Sequence, residues 1–307
     1  MMKISIIGAG NVGALAAMRV AEQNLGEVVL IDILKGAAQG KAFDLDDCRA
    51  ILGCHYTIQG SSLIEDIKGS DIVVITAGLA RKPGMTREDL ISKNAEIVGS
   101  VSRAIKEYAP FSIVVVVTNP LDVMTYLALQ VTGFDKRKVF GMGLTLDASR
   151  FSNLIAHEFG AAVTDIEPCV IGSHGETMMP LSRFTKIKGK TLDTLGAVER
   201  VNALVERTKK RGQEIVSLLG SGSAFFAPSA AIAEIVRVVA RGQERLLGVS
   251  AFLDGEYGVK GICVGVPCQL GRQGIGKIHI LDLNSSEKEA FLKSAESIRE
   301  LIKLLTH

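Results

Sequence analysis

Neither sign of charge dominates this chain. Its 307 residues carry 35 lysines and arginines against 33 aspartates and glutamates, a formal net charge of +2. That balance leaves no whole-protein field to steer nucleic acid or an anionic membrane, so any basic function has to be local. Aromatic residues are scarce, 5% of the chain with no tryptophan. A nucleic-acid binder built on a basic loop would need interleaved aromatics and a wider basic face, and neither is present. The cysteines (Cys48, Cys54, Cys169, Cys263, Cys268) are odd in number and form no CxxC pair and no cluster with histidine. A disulfide framework or a structural zinc site is therefore not expected, no other metal is, and reduced thiols in a cytoplasmic protein are. No apolar run approaches the ~20 residues that cross a bilayer. The apolar residues from Ile4 to Ile7 are too few for a signal-peptide core and run straight into a glycine turn.

What the chain does have is core-forming residues, 47% hydrophobic, enough to bury a sizeable interior. The first half alternates short β-branched runs with longer helical stretches. KISII (3–7), EVVLID (27–32), DIVVIT (71–76) and SIVVVVT (112–118) read as strands buried on both faces of a parallel sheet. Helical periodicity covers 11–24, 36–52, 86–108 and 121–132. KVFGMG (138–143) reads as a sixth strand, and six strands make two mononucleotide-binding halves. The expected class is α/β, a Rossmann doubly wound parallel sheet, followed by a second α+β substrate domain. The boundary is expected near residue 144, giving domains 1–144 and 145–307. In the second part helices are expected over 147–159, 196–219 and 228–241. GVSAFL (248–253), VKGICVGVP (259–267) and GKIHILDL (276–283) read as antiparallel strands. A last helix over 285–305 would be capped by Ser285 or Ser286, with Glu287 and Glu289 in its first turn.

The first strand ends in Gly8-Ala9-Gly10-Asn11-Val12-Gly13, a GxGxxG. In a glycine-rich chain this pattern alone could be an ordinary tight turn. Here it follows a strand, opens a helix, and lies in a βαβ unit whose second strand ends in Asp32. The glycines permit a tight turn and close backbone approach to a pyrophosphate, and the helix N-terminus offers free N–H groups to it. Asp32 is placed to accept hydrogen bonds from ribose hydroxyls and would repel a 2′-phosphate, which favours NAD over NADP.

Four further stretches hold polar groups near strand ends. LARKPGMTRE (79–88) puts Arg81, Lys82 and Arg87 on a loop directly after DIVVIT, around Pro83-Gly84. It could be a lid with a glycine hinge or a solvated loop tip. In TLDASRF (145–151), Asp147 and Arg150 are i and i+3, neighbours on one helix face, which is also the spacing of a surface ion pair. In VIGSHGE (170–176), His174 follows an apolar strand between small residues, either open to a ligand or idle in a loop. Asn119 in VTNP stands at the end of SIVVVVT, where it could equally be a turn residue.

Taken together, IIGAGNVG, LID, TAGLARKPGMTREDL, NAEIV, VTNPLDV, LDASRF, IGSHGE and GSGSAFFAPSAA, in this order along essentially the whole chain, resemble the lactate/malate dehydrogenase family, more closely its malate-specific members. The resemblance implies roles. His174 would donate and accept the proton, with Asp147 fixing its tautomer. Arg150 would clamp the substrate C1 carboxylate, Arg87 would polarise the keto oxygen, and Asn119 would contact substrate and nicotinamide ribose. Gly8, Ala9, Gly10, Asn11, Val12, Gly13, Asp32, Asn94, Val117, Thr118 and Asn119 would line the NAD site. Arg81 would pair with the second carboxylate of malate or oxaloacetate. Lactate-specific members carry glutamine there, and enclosing an unpaired guanidinium over pyruvate would cost roughly 3–5 kcal/mol, a discrimination of ~10²–10⁴. The implied partner is a small dicarboxylate, and the implied assembly a homo-oligomer, dimer or tetramer. Two other readings remain: a lactate or other 2-hydroxyacid dehydrogenase, and a non-catalytic NAD-sensing module, which would have lost His174 or the arginine set.

Overall fold

The computed structural model describes residues 1–79, 85–220 and 222–306. Arg81 and Lys82 lie outside these residues. The first half runs β1 (Lys3–Ile7), α1 (Asn11–Glu22), β2 (Glu27–Ile31), α2 (Ala37–Leu52), β3 (Ile58–Ser61), β4 (Ile72–Ile75), α3 (Arg87–Tyr108), β5 (Ile113–Val116), α4 (Leu121–Thr132) and β6 (Val139–Gly141). The second half begins with α5 (Gly143–Phe159). Short strands follow: β7 (Ile166–Glu167), β8 (Val170–Ile171), β9 (Met179–Pro180), β10 (Lys186–Ile187) and β11 (Lys190–Thr191). Then come α6 (Val198–Leu219), α7 (Phe226–Arg241), β12 (Arg245–Asp254), β13 (Lys260–Gly271), β14 (Gly274–Ile278) and α8 (Ser285–Lys303).

One sheet of nine strands joins both halves, in the order β14-β13-β12-β6-β5-β4-β1-β2-β3. From β6 to β3 every pairing is parallel, and the order of those six strands is the doubly wound one. Their central strands are apolar because helices cover both faces: Ile4, Ile6, Val73, Val74, Val114 and Val115 are fully buried. β12 then joins antiparallel to β6 through a single pairing, Ser250 with Gly141, and β13 and β14 extend that edge. A smaller cluster, including Phe151, Leu154, Ile155 and Leu204, packs α5 against α6 and the short strands.

The departures from the sequence reading have local causes. β3 carries no apolar run (its sequence is IQGS) because it pairs on one side only, with β2, at the sheet edge. Its Gly60 is demanded by packing, since a Cβ there would sit 2.2 Å from the Ala38 carbonyl oxygen. α5 starts at Gly143 rather than Asp147, a residue that reads as a turn but admits the close approach described below. β14 ends at Ile278 instead of continuing to 283. Beyond it the Tyr257 hydroxyl takes over, donating to the His279 carbonyl (2.5 Å) and accepting from the Leu281 N–H (3.1 Å). α8 is capped by Asn284, not by a serine, in a reciprocal box with Glu287.

Gly13 is the tightest point of the first βα unit. A Cβ at this position would lie 1.8 Å from the Gly8 carbonyl oxygen. Gly13→Ala is expected to lower the unfolding free energy by about 1–3 kcal/mol, read from chemical denaturation. A variant as stable as the parent would show that the turn can open without cost.

Candidate active site

The glycine turn sits at the carboxyl end of β1, beside the switch in strand order between β1 and β4. Gly8 has φ +106°, a conformation that glycine adopts freely, and the Thr76 hydroxyl donates to its carbonyl (2.9 Å). Asp32, just past β2, accepts the Ala9 N–H at 2.7 Å and the Leu34 N–H at 2.9 Å. Each of its oxygens keeps a lone pair for a further donor. Lys41, on α2, donates to the Ala9 carbonyl, so the two peptides flanking Ala9 are held by opposite charges. Nothing in the sequence singled out Lys41.

These residues fit a dinucleotide. α1 has Gly10 at its N-cap, with no side-chain cap and no acid in its first turn, so its N–H groups and dipole are free for an anion. A Cβ at Gly10 would meet nothing within 4 Å, leaving open space over the helix end. Asn11 and Val12 start the helix beneath that space. On the other side, Val117 follows β5 half-buried, and the Thr118 hydroxyl donates to the Ala77 carbonyl at 2.6 Å. The loops after β4 and β5 touch there: a Cβ on Gly78 would be 2.4 Å from the Thr118 methyl. Asn94 of α3 is fully buried and bridges the two loops. Its amide oxygen accepts the Leu79 N–H (2.7 Å), and its nitrogen donates to the carbonyls of Leu79 (3.2 Å) and Asn119 (2.7 Å). Asn94 thus shapes the loop that carries Asn119, whose own side chain is exposed.

Asp147, His174 and Arg150 converge. Asp147 lies on α5 with no exposed surface. One of its oxygens faces His174 Nδ1 at 2.6 Å, and the other accepts from Arg150 Nη1 at 3.2 Å. One turn upstream, a Cβ on Gly143 would be 2.8 Å from the His174 Cβ, so the start of α5 abuts the imidazole directly. The His174 loop is anchored by its backbone as well. Gly172 bridges to Gly265 of β13, Ser173 N–H donates to Ser294 Oγ (2.9 Å), and His174 N–H donates to Asp122 Oδ2 (2.8 Å). Burial is the largest influence on His174 and disfavours its charged form. The Asp147 carboxylate, then Asp122, outweigh it, and the imidazole pKa stands above its ordinary value. Arg150 is largely buried, yet its Nε has no hydrogen-bond partner. A buried guanidinium N–H left so costs about 1–3 kcal/mol.

Arg87 is exposed as the first residue of α3, behind a capping box made by Thr86 and Asp89 (3.0 and 3.1 Å). The structure does not bring it into contact with His174. A cation there opposes the helix dipole, so its position owes nothing to helix stability. Asp122, in the first turn of α4, was not anticipated. The only available signal was an acid three residues after Asn119 in TNPLD.

Two family models cover the chain: "lactate/malate dehydrogenase, NAD binding domain" over residues 2–141, and "lactate/malate dehydrogenase, alpha/beta C-terminal domain" over 144–307. The malate dehydrogenase of Methanosarcina barkeri is 50% identical over 305 residues, 99% of each chain. Among solved structures, malate dehydrogenase from Cryptosporidium parvum is similar with a TM-score of 0.96 at 39% identity, covering 99% of both chains. The lactate dehydrogenase of the same organism, complexed with lactic acid and nicotinamide adenine dinucleotide, also reaches 0.96, at 36% identity over 100% of this chain and 98% of its own. Equal likeness to both leaves the choice of substrate to individual side chains rather than to the fold.

Gly10→Ala is expected to leave thermal stability within about 0.5 kcal/mol of the parent while weakening NAD binding at least ~10-fold, since the methyl would occupy the phosphate space. Calorimetric titration with NAD measures it. Unaltered affinity would place the pyrophosphate elsewhere.

Proposed function

The chain belongs to the lactate/malate dehydrogenase family, and on that premise we propose that it catalyses the reversible oxidation of (S)-malate to oxaloacetate with NAD. The observation that carries this reading is the group of His174, Asp147 and Arg150, a proton carrier fixed by a buried carboxylate beside a guanidinium with an unused donor.

NAD, when bound, supplies the hydride acceptor. Gly8, Ala9, Gly10, Asn11, Val12 and Gly13 would hold its pyrophosphate, Asp32 the adenosine ribose, and Val117, Thr118 and Asn119 the nicotinamide side. The protein's own residues do the rest. Arg150 binds the C1 carboxylate through the donors of its guanidinium not used by Asp147 and sets the C2 hydroxyl against His174 Nε2, the ring nitrogen left free by Asp147. Neutral His174 takes the hydroxyl proton as charge moves off the substrate. In reduction, protonated His174 returns it and meets the negative charge growing on the keto oxygen. Arg87 would add a second cation at that oxygen when the 79–88 loop covers the site and excludes water. Arg81, outside the described residues, would pair with the far carboxylate. A cytoplasmic setting, a homo-oligomer (dimer or tetramer) and a division of labour near residue 144 belong to the same proposal.

Sequence relatives named for malate favour the dicarboxylate over lactate. NADH oxidation with oxaloacetate and with pyruvate in parallel tests this, and equal turnover of pyruvate would defeat it. Arg81→Gln should lower oxaloacetate kcat/KM by ~10²–10⁴ and raise that for pyruvate. Unchanged oxaloacetate kinetics would remove Arg81 from the substrate site.

The direction of the His174 shift also fixes a pH profile. Reduction needs the imidazolium, so oxaloacetate kcat/KM should hold through the ordinary histidine range and fall only above it. Malate oxidation, which needs the neutral ring, should rise over that same interval. Initial rates between pH 5 and 10 measure both limbs, and a reduction rate already falling below the ordinary histidine pKa would contradict the assignment.

A further inference from the structure

Asp122 is a carboxylate with almost no exposed surface, 5%, and each oxygen has a definite partner. Oδ2 accepts the backbone N–H of His174 at 2.8 Å, and Oδ1 accepts the Ser250 hydroxyl at 2.6 Å. It sits in the first turn of α4, three residues after Asn119. Ser250 is the residue of β12 that pairs with Gly141, the single point where the antiparallel strands join the parallel sheet. The room around this point is tightly defined. A Cβ on Gly141 would lie 2.5 Å from Leu121 and Thr125 side chains and 3.0 Å from the Ser250 Cβ. Asp122 thus ties together the loop carrying Asn119, the loop carrying His174 and the junction of the two sheet halves.

A neutral hydrogen-bonding residue could serve as a bracket, and a buried charge is expensive. Burial is the main reason that the Asp122 pKa is pushed up to about 6, against the opposing pull of its bonds to Ser250 and His174. The titratable groups that face it are His174 from its loop, Asp147 from α5 and Cys263 from β13. Of these only His174 gains from a negative neighbour.

We propose that Asp122 is a positioning residue of the proton relay: its two oxygens hold the His174 backbone and Ser250, fixing the imidazole against Asp147, and its charge supports the imidazolium from behind. The substrate side of this role rests on the malate dehydrogenase reading, but the effect on His174 does not.

Asp122→Asn keeps the shape and an acceptor for the His174 N–H while removing the charge. The His174 titration midpoint, followed by proton NMR in the NAD-free protein and identified with His174→Asn, should fall by roughly half to one pH unit. Oxaloacetate kcat should fall ~10-fold with KM changed little, because the proton carrier and not the carboxylate clamp is disturbed. The alkaline limb of kcat/KM should move down with the midpoint. A folded Asp122→Asn protein with an unshifted His174 midpoint overturns the proposal. If the parent protein reduces no oxaloacetate, the substrate reading fails while the NMR midpoint still decides this one. If Asp122→Asn does not fold, Ser250→Ala decides: it retains the charge and loses half of the anchorage, so a several-fold lower kcat with the midpoint in place supports the role, and an unaltered kcat overturns it.

Discussion

The 2.6 Å contact between the Asp147 carboxylate and His174 Nδ1 is the constraint around which the rest of the site is arranged. An anion with no exposed surface persists only when its partners are close and oriented. Here they are an imidazole on one oxygen and a guanidinium on the other. To bring the imidazole there, α5 must reach it without a side chain at Gly143, and the His174 loop must be bolted down through Gly172, Ser173 and its own N–H. To bring the guanidinium there, Arg150 must follow Asp147 by one helical turn. The arrangement leaves the far nitrogen of the imidazole unengaged by Asp147 and, among the described residues, Arg150 Nε without a partner.

The parallel half was legible because burial on both faces favours apolar residues, and β1, β2, β4 and β5 read as short runs rich in isoleucine and valine, with the one buried polar exception of Ser5, which is paired with Ser70. β3 was hidden because an edge strand next to one neighbour obeys a weaker rule. The helix ends were legible where a side chain makes the cap, as at Thr86, and misread where a serine run offered several candidates and Asn284 won. Among site residues, His174, Asp147 and Arg150 could be picked out individually, but their spacing alone also described a surface ion pair and an idle loop histidine. Their meeting is tertiary information, set by packing between residues far apart in the chain. The same holds for Asp122 and Lys41, whose neighbours carried no local pattern. Asn94 shows a different gap: expected to line the cofactor site, it spends its amide on three backbone groups of the two loops it joins.

The electrostatics divide by depth. At the glycine turn the groups left free for an anion are mostly backbone, the uncapped end of α1, with Asp32 and Lys41 holding the two peptides that flank Ala9. At the far end, the groups are ionised side chains in a dry setting, where each charge needs a counter-charge. Binding and chemistry therefore use separate means on one sheet, and a change in the second need not disturb the first.

The single ladder step between Ser250 and Gly141 makes the whole molecule one continuous slab rather than two bodies on a hinge. Jaw-like closure of one half upon the other would have to break that pairing and strain the strands on either side of it.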